Sequence, residues 1–233
     1  MPSLDRHGDV FVLSLAHADG VNPENRFHPE WIEQVHTLLD EAEASEGPAA
    51  LVTVGGGKFY SNGLDTDYLF SHADSIPEYL DLVHTVYIRL LRFPMATVAA
   101  VQGHAFGAGA MLALCHDTSV MRADRGFFCL PEVNLGMPFT EGMSTLLAER
   151  LPSRTMIDAM TTGRRYGGAD ALEFGIVQAV AGEDELLSTA VAQAAERVST
   201  RGANLTSIKD SIHVRTLAAL SVPTAESTFS LGQ

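Results

Sequence analysis

The chain has 233 residues, 46% of them hydrophobic and 19% charged, with a formal net charge of −14. So large a surplus of carboxylates repels phosphate backbones and anionic lipid, so neither nucleic acid nor a membrane surface is an expected partner. The length suits one domain with a substantial core, no apolar run reaches spanning length, and Met1 to Arg6 shows no signal-peptide pattern, which together predict a cytoplasmic location.

In chain order, residues 9–16 read as a strand and residues 29–45 as an amphipathic helix, with Ile32, Val35, Leu38, Leu39 and Ala42 on its apolar side. Residues 49–54 form a second predicted strand, followed by a loop of Gly55, Gly56, Gly57 and Lys58. Helical period returns over residues 77–93 and stops at Pro94, which lacks a donor and disfavours helix in the residue before it. Residues 96–101 are a strand, 108–115 a helix of small residues, and 116–122 another strand. Beyond residue 140 the pattern is mostly helical, over 141–150, 153–160, 168–174, 183–199 and 205–220, and residues 221–233 are expected to be poorly ordered. Strand alternating with helix predicts an α/β fold built on βα units.

Several motif look-alikes fall short. The Gly55-Gly56-Gly57-Lys58 loop has Val52 where a phosphate loop needs glycine and Phe59 where it needs Ser or Thr. Gly107-Ala108-Gly109 has Leu112 where a dinucleotide fingerprint needs Gly or Ala. No nucleophile elbow and no Cys or His cluster at metal-ligand spacing occurs, so neither a metal nor a redox cofactor is expected. Cys115 and Cys129 are expected as buried reduced thiols. His36 reads as solvated on a polar helix face and His116 as structural.

The chemistry concentrates in two glycine-bearing turns and one glutamate. Ser61-Asn62-Gly63-Leu64-Asp65 and Gly103-His104-Ala105-Phe106-Gly107-Ala108-Gly109 each follow an apolar strand-like run and precede a helical one. Each turn can aim a free backbone N–H at a common point, and two such donors make an oxyanion hole. Glu132, in the apolar run from Phe127 to Val133, should have its pKa raised by desolvation toward the working range of a general base. A base beside an oxyanion hole can take a proton from the carbon next to a carbonyl, which is enolate chemistry. Asp65 and Asp67 read as helix-capping carboxylates.

These segments, with Met121-Arg122-Ala123-Asp124-Arg125-Gly126-Phe127 and Pro131-Glu132-Val133-Asn134-Leu135-Gly136, resemble the crotonase (enoyl-CoA hydratase/isomerase) superfamily. Within it they are most similar to the monofunctional Δ3,Δ2-enoyl-CoA isomerases, especially the plant-type ones. The resemblance runs from about Val10 to about Val198 and includes Thr162-Gly163-Arg164-Arg165 and the stretch from Ala171 to Val177. It implies a spiral of ββα units over residues 1–185, a helical C-terminal region over 186–233 packing on the core or a neighbouring subunit, and a homotrimer or dimer of trimers.

The resemblance also implies roles. Leu64 N–H and Ala108 N–H become the oxyanion donors and Glu132 the base, with a coenzyme A thioester as substrate and no further cofactor. Asn62, Gly63, Phe106, Gly107, Met111 and Phe139 are expected to bind substrate, with Phe70 a further candidate for an apolar tunnel. Hydratases of the superfamily carry a second catalytic glutamate where this chain has Met111, which favours isomerisation over water addition. Glu141 is a candidate second carboxylate, and its helix-start position also suits a simple first-turn role beside the Thr140 cap. Hydratase and a non-catalytic acyl-CoA binder stay open as alternatives. Because coenzyme A is an anion, Arg26, Lys58 and Lys209 are candidates to meet its phosphates.

Overall fold

A computed structural model of the chain describes residues 1–17 and 20–229. In chain order the first elements are β1 (Ser3–His7), β2 (Val10–Ser14), α1 (Pro29–Ala44), β3 (Ala50–Val54), β4 (Phe59–Ser61), α2 (Thr66–Ser71) and α3 (Ile76–Leu91). There follow β5 (Ala96–Val101), β6 (His104–Phe106), α4 (Ala108–Leu114), β7 (Thr118–Arg122), β8 (Phe128–Cys129) and α5 (Glu132–Leu135). The remainder is α6 (Glu141–Arg150), α7 (Ser153–Thr162), α8 (Gly168–Glu173), β9 (Ala179–Ala181), α9 (Glu183–Ala195), α10 (Ala203–Ile212) and α11 (Val214–Leu220).

A six-stranded sheet runs β1-β2-β3-β5-β7-β9, antiparallel only between β1 and β2. Both faces are covered. Leu13, Leu51, Ala99, Val101 and Met121 pack with α1, α3 and α4, while Val12, Val52, Val98, Ala100 and Val120 pack with Leu186, Ala190 and Ala194 of α9. Burial on both faces is why β3 and β5 read as continuous apolar runs rather than alternating ones.

A second sheet, β4-β6-β8, is parallel throughout. Each of its short strands follows a strand of the large sheet and leads into a helix, so β3-β4-α2, β5-β6-α4 and β7-β8-α5 are three successive ββα turns of a spiral. Gln102 ties two of these crossings together, accepting from Gly55 N–H at 3.0 Å and donating to Phe59 O at 2.7 Å. The small sheet is absent from the sequence reading because strands of two or three residues carry no measurable period.

Several expectations are corrected. The single helix over residues 205–220 is two, α10 and α11, joined at His213, whose side chain and that of Thr216 both engage Glu149. His36 is half-buried and bonds Thr85 at 2.8 Å, linking α1 to α3 rather than facing bulk water. A boundary between residues 185 and 186 would cut α9, whose apolar side is part of the sheet packing. Of the tail expected to be poorly ordered, Glu226–Phe229 form a 3-10 turn and Thr224 is bonded to Asp81, while residues 230–233 lie outside the described residues. Among the described residues no helix is long and apolar enough to cross a membrane.

Candidate active site

The second sheet ends at a cleft of about 150 Å³ lined by Arg26, Asn62, Leu64, Thr66, Phe106, Gly107, Ala108, Pro131, Glu132, Leu135 and Met137. Pockets for whole ligands usually run to roughly 300–1,000 Å³, so this one matches a reacting group and a few carbons rather than a complete cofactor-sized molecule.

The first wall is the turn leaving β4. Gly63 has φ +85°, and a Cβ there would lie 2.7 Å from Phe106 O and 3.0 Å from Ala108 N, so only glycine lets the two turns approach. Its carbonyl accepts from Phe27 N–H at 2.9 Å. The trans peptide is planar, so a carbonyl held on one side drives the N–H of the next residue, Leu64, to the other. Asp65 then caps α2 by accepting from Asp67 and Tyr68 N–H, both at 3.1 Å, as its position in sequence implies.

The second wall is the turn from β6 into α4. Gly107 takes φ +50° and ψ −120°, and its carbonyl accepts from Ala110 N–H at 3.0 Å and Met111 N–H at 3.1 Å. That directs the Ala108 N–H out of the helix start. Among the described residues neither Leu64 N–H nor Ala108 N–H has an acceptor. Ala108 opens the helix in ordinary helical geometry, where the methyl group is no obstacle.

Glu132 begins α5 and is only 9% exposed. A Cβ on Gly107 would lie 3.1 Å from its Oε1, which puts the carboxylate against the second turn, and its Oε2 is buried without a hydrogen-bond partner. Burial drives its pKa up to about 7, opposed only by a hydrogen bond from its own backbone. It is the one carboxylate among the cleft-lining residues. The geometry therefore joins an ionisable base to two unpaired donors, an arrangement able to remove a proton beside a carbonyl.

Other residues singled out in the sequence are dispersed. Asn62 lines the cleft and donates to Glu24 at 2.9 Å. Phe106 is a wall. Met111 is 1% exposed inside the core, and Phe139 packs half-buried against that core; neither lines the cleft. Phe70 is 69% exposed on α2 and lines no part of it either. Glu141 stands in the first turn of α6, capped by Thr140, and borders a separate depression with His84, Gly142 and Thr224.

Of the three cations, Arg26 and Lys58 lie near the same Glu24, while Lys209 lies apart. Lys209 is 3% exposed and its Nζ meets Met95 O at 2.9 Å and Asp117 at 2.8 Å, so it holds α10 to the start of β5. Arg26 reaches the cleft but is paired with Glu24 at 2.6 Å and Asp67 at 3.1 Å. Lys58 is exposed, over the Phe59 ring at 5.3 Å. Leu135 and Met137, which the sequence reading passed over, line the cleft because the tight αL turn at Gly136 folds them back beside Glu132. Their only sequence signal is an apolar pair around a glycine just after the base.

A sequence profile of the enoyl-CoA hydratase/isomerase family matches residues 15–226. Enoyl-CoA delta isomerase 3 of Arabidopsis thaliana is 36% identical over 187 residues, covering 78% of this chain and 77% of that protein. A carnitinyl-CoA dehydratase of Escherichia coli is 28% identical over 209 residues, covering 89% of this chain and 78% of that one. The apo structure of a Mycobacterium tuberculosis protein, described there as an enoyl-CoA isomerase and in a second structure as a probable enoyl-CoA hydratase, superposes with a TM-score of 0.85 at 25% identity, over 94% of this chain and 93% of the other. The ββα spiral, the paired turns and the buried glutamate thus coincide with one family assignment: this chain belongs to the enoyl-CoA hydratase/isomerase family, with the crotonase fold, near its Δ3,Δ2-enoyl-CoA isomerases.

Proposed function

We propose that the protein is a Δ3,Δ2-enoyl-CoA isomerase that works through one glutamate. The thioester oxygen sits between Leu64 N–H and Ala108 N–H, and the carboxylate of Glu132 takes a proton from C2. The electron pair of that C–H bond moves toward the carbonyl, giving a dienolate whose oxygen charge the two donors stabilise, each by about 3 kcal/mol. Glu132 returns the proton at C4, the double bond comes to lie between C2 and C3, and the carboxylate is regenerated. No proton, electron or cofactor is consumed beyond the thioester itself.

The observation that carries this reading is the solitary buried carboxylate against Gly107, with its pKa raised to about 7. Hydration would need a second group to hold water. Similarity to a carnitinyl-CoA dehydratase favours that second reading, but Met111 is in the core and Glu141 borders another depression. Assembly as a homotrimer or dimer of trimers, to be checked by light scattering, fits the exposed apolar Val133, Leu135 and Ile157. A cytoplasmic location is likewise a proposal, open to fractionation, since two similar Arabidopsis thaliana isomerases are described as peroxisomal.

The test is turnover of trans-3-hexenoyl-CoA and trans-2-hexenoyl-CoA by the wild type and by Glu132→Gln. Double-bond migration should fall by at least about a thousandfold in the variant, with little water addition by either protein. Dominant hydration, or activity that survives Glu132→Gln and disappears in Glu141→Gln, would overturn the single-base reading. Tight thioester binding without turnover would point to a binding protein.

A further inference from the structure

The two donor turns come from different ββα units and already meet directly, because β4 pairs with β6 and Gly63 lies against Phe106 and Ala108. A helix outside the small sheet also touches both. Helix α3 buries Tyr79 and Tyr87 eight residues apart, about 12 Å along its axis, and each hydroxyl ends on the backbone of a different turn.

Tyr79 accepts from Asp65 N–H at 2.8 Å and donates to Phe27 O at 2.8 Å. Phe27 N–H in turn holds Gly63 O at 2.9 Å. The peptide that carries the Leu64 N–H is thereby gripped through Phe27, and the peptide after it directly, with the same hydroxyl closing both routes. Tyr87 donates to Ala108 O at 2.9 Å and is fully buried. That carbonyl belongs to the peptide immediately after the Ala108 N–H, so the second turn is held in the corresponding place.

We infer that Tyr79 and Tyr87 are positioning residues that hold the orientation of the two oxyanion donors, with α3 bracing the backbone of both turns. The inference rests on the proposed function for the identity of the donors. It assigns a task to two buried hydroxyls that touch no substrate. Oxyanion stabilisation is steeply geometric, because donors must lie at about 2.7–3.1 Å from the place where charge develops. Phenylalanine at either position keeps the packing and releases one turn from that brace.

The experiment compares Tyr79→Phe, Tyr87→Phe and the double variant with the wild type, and with Tyr166→Phe as a control. Tyr166 is also fully buried, but its hydroxyl bonds Asp158, away from both turns. Turnover of trans-3-hexenoyl-CoA is measured well below the melting temperature. The infrared stretch of a 13C-labelled thioester carbonyl is recorded for bound trans-2-hexenoyl-CoA.

Each α3 variant should lose about tenfold or more in kcat with KM changed less than about threefold, and should show a smaller downshift of the carbonyl stretch. Tyr166→Phe should melt lower with kcat and carbonyl stretch unchanged. Equal kcat and an equal downshift in the α3 variants, whatever their melting temperatures, would overturn the inference. Should Tyr79→Phe fail to fold, Tyr87→Phe carries the same test alone. A wild type without turnover and without a carbonyl downshift would remove the proposed function, and this inference with it, a result distinct from normal wild-type behaviour retained in both variants.

Discussion

Glu132 has one carboxylate oxygen against Gly107 and the other buried without a partner. Burial therefore disfavours its charged form, which is the physical source of a pKa near 7. A carboxyl that binds its proton more tightly folded than unfolded stabilises the folded state most below the unfolded value of 4.5, and that contribution is lost as pH rises through about 7. Glu132→Gln, which cannot ionise, should thus melt at a higher temperature than the wild type at pH 8 and nearly with it at pH 4. The gap corresponds to at most about 3 kcal/mol. Thermal melts at the two pH values check it, and equal gaps at both would contradict the burial argument. The residue type and its apolar run were legible in the sequence. The unpartnered oxygen was not, because it depends on what the second turn places opposite.

At the scale of elements, the sequence reading found the long pieces and lost the short ones. Helices α1 and α3 and strands β3 and β5 have enough residues for a period to appear. Strands β4, β6 and β8 have two or three residues each, yet they form the sheet whose ends carry both donors. Lys209 shows the converse error, a cation that looks available for an anion and is spent on a structural contact. Lys209→Met would leave the partly buried Asp117 without its ammonium partner and should destabilise the fold by about 2–4 kcal/mol. At temperatures where the variant stays folded, KM for the thioester should match wild type. A raised KM without loss of stability would return Lys209 to the substrate.

For the whole molecule, a net charge of −14 opposes the approach of an anionic thioester. Local exceptions exist: His104 is held below its usual pKa by burial and by the nearby cations Lys58, Arg165 and Arg125. The global field should still dominate at long range, so kcat/KM for a CoA thioester should rise as salt is increased from about 20 to about 200 mM. A fall over that interval would mean that a local cation cluster governs encounter. From its sequence alone this protein was an α/β chain with two donor turns and a buried-looking glutamate, because glycine, chain direction and apolar runs leave local marks. Only the tertiary structure decided which cations are used internally, that one carboxylate lines the cleft, and that α3 reaches both turns. Those facts depend on distances between segments tens of residues apart, and no local pattern of side chains encodes them.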